Sequence, residues 1–66
     1  MADFKWFDDG SVTVVTPECD EAQGWLDDNV MTPETLTWGR GIVVEPRYLN
    51  GLIRDIVGAG FTIEEE

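Results

Sequence analysis

Carboxylates are the chemistry this sequence offers. Asp8 and Asp9 adjoin, Glu18, Asp20 and Glu21 fall within four residues, and Asp27 and Asp28 adjoin again. Such groups can serve as general acid and base, hold a hard cation through oxygen, or present charge to a basic surface. The first use is disfavoured because the chain has no histidine, and its single cysteine, Cys19, has no imidazole to activate it. Neighbouring carboxylates on a helix or turn also diverge, so they do not make a close acid–base pair. For metals, no stretch has the acidic spacing of an EF-hand loop, and one cysteine without histidine cannot assemble a zinc set of nitrogen and sulfur. The expectation is a chain without catalysis, metal or cofactor. Presentation of charge is what remains.

That charge is large and uneven. Fourteen acids against four bases give 66 residues a net charge of −10. The field disfavours direct contact with nucleic acid or anionic lipid and steers a basic partner inward. Residues 1–35 hold nine acids and one base, whereas residues 36–59 hold Arg40, Arg47 and Arg54 against Glu45 and Asp55. The candidate binding residues are therefore Asp8, Asp9, Glu18, Asp20, Glu21, Asp27 and Asp28. Trp6 joins them because an aromatic side chain beside carboxylates makes a good interface anchor. Arg40, Arg47 and Arg54 form a candidate second contact patch, with Arg47, Asn50 and Arg54 on one side of a helix. The competing account of both sets is a solvated polar surface. Trp25 and Trp38 are expected in the core, and Trp6 is left open.

The elements that carry these residues follow from periodicity and punctuation. Phe4–Phe7, the turn Asp8-Asp9-Gly10-Ser11 and the β-branched run Val12–Val15 read as a hairpin, or as one strand with an aromatic lead-in. Thr16-Pro17-Glu18 has the form of a helix start, with Thr16 as cap and Pro17 first in the helix, which predicts a helix over 17–30. Its apolar side is Cys19, Ala22, Leu26 and Val30, with Trp25 at the margin. Thr32-Pro33-Glu34 reads as a linker, and 35–45 as a second hairpin turning at Gly39-Arg40-Gly41. Pro46 opens a second helix through Tyr48, Leu49, Leu52, Ile53, Ile56 and Val57, which Gly58-Ala59-Gly60 ends. Phe61–Glu64 closes as a strand.

From Val12 onward the order is β-α-β-β-α-β, that of ferredoxin-like α+β two-layer sandwiches. An additional strand at Phe4–Phe7 would compete with the closing strand for one sheet edge, so the fold is either ferredoxin-like or a variant with an extra N-terminal strand. One domain over 1–66 is expected, with 1–11 as an aromatic arm or hairpin strand and 12–64 as the core. A hydrophobic content of 42% is too high for a solvated acidic tail, so the chain should fold. Small domains of this length are commonly propped by disulfides, metals or self-association, and only the last is open to this composition. No apolar run approaches the ~20 residues of a membrane span, and no signal core follows the amino end, which points to the cytoplasm.

The span Gly24-Trp25-Leu26-Asp27-Asp28-Asn29, then Trp38, then Ile42-Val43-Val44-Glu45-Pro46-Arg47-Tyr48 and Gly60-Phe61 resembles small acidic proteins of unknown function encoded by phages and prophages. The resemblance covers about two thirds of the chain and carries no active-site motif. It implies a setting in which small acidic proteins inhibit host defence or nucleic-acid-handling enzymes, some by imitating DNA. The expected function is thus a non-enzymatic inhibitor that occupies the basic surface of a host protein, such as a nuclease. Two alternatives stand beside it. Acidity of this kind also keeps proteins hydrated in concentrated salt, and an uncovered sheet face bearing Val43 would suit a homodimer or other homo-oligomeric structural or ligand-binding module.

Overall fold

The computed structural model describes residues 2–30 and 35–66, and its elements are β1 (Phe4–Asp8), β2 (Thr13–Pro17), α1 (Asp20–Asn29), β3 (Thr37–Trp38), β4 (Gly41–Val44), α2 (Pro46–Gly58) and β5 (Ile63–Glu65). They form a small α+β sandwich, two helices on a five-stranded sheet of order β3-β4-β2-β1-β5. The competition for the edge is resolved by insertion. β1 pairs antiparallel with β2, and β5 moves out to pair with β1 in parallel. Removing β1 from this order leaves β3-β4-β2-β5, the strand order of the ferredoxin-like β-α-β-β-α-β unit. β5 runs in the direction it would need beside β2, so only its neighbour has changed. The fold is the variant with the extra strand.

Sheet register sorts side chains onto two faces, because successive residues of a strand point to opposite sides. Phe4, Val15 and Ile42 share one face, and with Ala22 and Leu26 of α1 and Leu49 and Ile56 of α2 they make the core. An aromatic trio joins three elements at its margin. The Phe4 ring stands edge-on to Trp25 (6.1 Å) and to Phe61 (5.6 Å), and Trp25 meets Phe61 at 6.0 Å. Trp25 is half-buried there, so the core expectation for it holds in part.

The first helix begins later than its sequence predicts. Pro17 is the last residue of β2, opposite Phe4, and the Glu18 N–H donates to the Asp3 carbonyl at 2.7 Å. The ladder thus extends past the apparent cap, and Thr16 and Pro17 belong to the sheet. Cys19 takes the N-cap position without a side-chain cap bond, and Asp20 and Glu21 occupy the first turn, where helix polarity favours negative charge. The reading of Thr32-Pro33-Glu34 as a linker falls outside the described residues.

The second helix matches its pattern closely. Pro46 sits at the start, and the end is a Schellman motif. Phe61 N–H donates to Ile56 O at 3.1 Å and Gly60 N–H to Val57 O at 3.0 Å. Gly60 has φ +93°, a conformation in which any side chain would be strained, and this turn is what delivers Phe61 to Phe4 and Trp25. The two hairpins are tight as well, with Gly10-Ser11 and Gly39-Arg40 at their tips.

Candidate acidic interface

α1 presents the densest run of carboxylates. At 100° per residue, Asp20, Glu21, Asp27 and Asp28 fall within about 120° of the helix circumference, opposite the buried Ala22 and Leu26. All four are exposed. Asp20 lies 3.7 Å from Arg40, an exposed pair that contributes little to stability. Glu21 and Asp28 make no ion pair or hydrogen bond among the described residues, and Asp27 accepts only from Gln23, at 3.2 Å. Four charges along nine residues, Asp20 to Asp28, span about 12 Å, where duplex DNA would carry about seven. The face is strongly negative, at roughly half the charge density of DNA.

The other candidates are distributed around it. Glu18 precedes the helix and lies 3.8 Å from Lys5. Asp8 ends β1 and accepts the Gly10 N–H at 3.0 Å, and Asp9 follows in the turn, both exposed. Because α1 returns antiparallel to β2, its Asp27 and Asp28 run toward the end of the domain where this turn lies, while Asp20 and Glu21 stay at the other. Trp6 is on the helix-facing side of β1, half-buried and packed against the core, so it is not a free anchor.

Arg47 and Arg54 share α2, and Arg40 stands apart from them in the turn between β3 and β4. Arg40 and Arg47 flank β4 at opposite ends, and Arg40 faces Asp20 rather than the α2 arginines. Arg47 is held by the Glu45 carboxylate at 2.8 Å and stacks on the Tyr48 ring, 4.9 Å to its centroid. Arg54 is exposed and makes no ion pair among the described residues. Three of the four bases are thus matched to neighbouring acids, which leaves the remaining carboxylates uncompensated.

Trp38 is the clearest departure from sequence expectation. It is 60% exposed, not core, because β3 is a two-residue edge strand and register turns Trp38 to the face away from the helices, opposite Gly41. Sequence reasoning also missed that Leu36, 69% exposed, lies beside it: the Val43 N–H donates to the Leu36 carbonyl at 2.9 Å, which extends the β3–β4 pairing by one residue. Both belong to an alternating run in which every second residue is apolar. The alternation was visible, but not which face the helices would cover.

Among the described residues no group of histidine, cysteine, aspartate or glutamate could hold a metal ion, and no helix is long and apolar enough to cross a membrane. No family model matches the chain, and no curated protein or solved structure is significantly similar to it.

Proposed function

We propose that this chain is a non-enzymatic binding protein, phage-encoded and acting in the host cytoplasm, that inhibits a host defence or nucleic-acid-handling protein by occupying its basic surface. The observation that carries the reading is the face of α1, where Asp20, Glu21, Asp27 and Asp28 stand exposed on one side and, among the described residues, only Asp20 has a nearby base. A partner groove built for a phosphate backbone would gain from such a face by releasing its own counterions. Half the charge density of DNA suffices for steering, and it makes the interaction dependent on charge more than on exact phosphate spacing. Asp8 and Asp9 extend the acidic surface, and Arg40, Arg47 and Arg54 are secondary contacts.

The test is capture of a basic nucleic-acid-binding protein from bacterial lysate, with duplex DNA as competitor. Binding should fall at least tenfold between about 50 and 200 mM salt. Joint substitution of Asp27→Lys and Asp28→Lys should weaken it far more than Arg47→Ala. A complex that is indifferent to salt, or to reversal on α1, overturns the proposal.

A further inference from the structure

The sheet face away from the helices carries an ordered apolar row. In register across four strands stand Phe7, Val14 and Val43, continued by Leu36 through its bond to Val43. None of these four belongs to the helix-side core cluster, and although Val14 is buried at 1% exposure, Phe7 and Val43 on either side of it are partly exposed and Leu36 is 69% exposed. Beside this row runs a second, Glu64, Lys5, Thr16, Gly41 and Trp38. Gly41 is required there, since a Cβ would come within 2.5 Å of the Val15 carbonyl oxygen and 2.8 Å of Thr16 Oγ1.

We infer that this face is a self-association surface on which a second copy of the chain packs sheet to sheet. Charge selects the occupant. The molecule bears −10, yet the strand residues on this face contribute only Lys5 and Glu64, with Glu18 reaching Lys5 from its rim, so it is a side on which two copies can approach with less repulsion than across α1. The sheet edge at β5, in contrast, bears Glu64 and Glu65 with Glu66 beyond, which opposes edge-to-edge pairing of copies.

The face is also complementary to itself. A twofold axis parallel to the strands and midway between β2 and β4 sets Val14 against Val43 of the second copy and Phe7 against its Leu36. The same operation brings Trp38 over Lys5 of the second copy, a cation–π arrangement. Both α1 faces then point outward, away from each other. Four overlapping strands cover about 19 by 15 Å, near 300 Å² of sheet plane, against the ~800 Å² per partner of a standard complex. The association is therefore weak.

Sedimentation equilibrium tests this on the intact chain, with no partner present. A monomer at about 10 µM should become a dimer at about 1 mM. Added salt should strengthen the dimer, because it screens net repulsion, the opposite of its effect on the proposed host complex; the two readings thus fail separately. Val43→Lys and Trp38→Ser should each weaken dimerisation at least tenfold, whereas Asp27→Lys should not weaken it. Circular dichroism confirms folding, and should Val43→Lys unfold, Trp38→Ser on the exposed edge decides. A monomer at about 1 mM in high salt, or a dimer indifferent to Trp38→Ser, overturns the inference.

Discussion

Asp3 and Thr62, 59 residues apart, clasp the two ends of the chain. The Asp3 N–H donates to Thr62 Oγ1 at 3.1 Å, and the Asp3 carboxylate accepts the Thr62 N–H at 3.0 Å and its hydroxyl at 3.4 Å. Immediately beyond, the Phe4 N–H donates to the Thr62 carbonyl at 3.0 Å. The clasp fixes the register with which β5 enters beside β1. Asp3→Ala or Thr62→Val should each lower stability by about 1 kcal/mol. The two changes share one bond, the Thr62 hydroxyl to the Asp3 carboxylate at 3.4 Å, so a double-mutant cycle in urea should show coupling of only about 0.5 kcal/mol; unchanged stability in both single variants would contradict the clasp.

Two glycines should respond in opposite ways to alanine. Gly41→Ala forces a methyl against backbone oxygen and should destabilise by about 2 kcal/mol or more, because the neighbour is strand backbone that cannot yield cheaply. Gly24 lies inside α1, and a methyl added there would meet nothing within 4 Å. Gly24→Ala should stabilise by about 0.5–1 kcal/mol through helix propensity. Thermal unfolding of the two variants checks both signs.

The tryptophans should separate by environment. Trp25→Ala opens the ring cluster with Phe4 and Phe61 and should lower stability by about 2–3 kcal/mol, while Trp38→Ser should change the stability of the dilute monomer by less than about 0.5 kcal/mol. An acrylamide quenching series on single-tryptophan variants should rank Trp38 as the most accessible.

How much of this could be read from the sequence depends on which interactions decided each element. The second helix was legible because its apolar period, its Pro46 and its terminal glycine agree with the packing they serve. The start of the first helix was not. Thr16-Pro17-Glu18 satisfies the local rules of a helix cap, but pairing with Phe4 and Asp3, thirteen to fifteen residues earlier, outweighs them. The place of β1 and the exposure of Trp38 were hidden for the same reason, since strand neighbours and sheet faces are set by distant partners. The acidic run Asp20, Glu21, Asp27 and Asp28 was legible because one helix carries it, whereas the separation of Arg40, in the β3–β4 turn, from Arg47 and Arg54 on α2 depends on how distant elements pack.

Salt should distinguish a functional acidic face from acidity suited to brine. The fourteen acids far outnumber the three that pair with bases among the described residues, so repulsion is present in dilute buffer but falls on exposed positions. The melting temperature should rise by a few degrees between about 20 and 200 mM salt and then level off as the screening length drops below the charge spacing. A chain that stays unfolded until molar salt is added would contradict this.

The insertion of β1 also sets a timetable. The β1–β2 hairpin turns through Gly10-Ser11 and can close within microseconds of its synthesis, but the outer edge of β1 waits for a strand that ends at Glu65. At elongation rates of about 5–20 residues per second, that edge stays unpaired for several seconds on each nascent chain. During that interval the aromatic strand Phe4-Lys5-Trp6-Phe7 is the part of the molecule most open to mispairing, and Lys5 is the one charge within it.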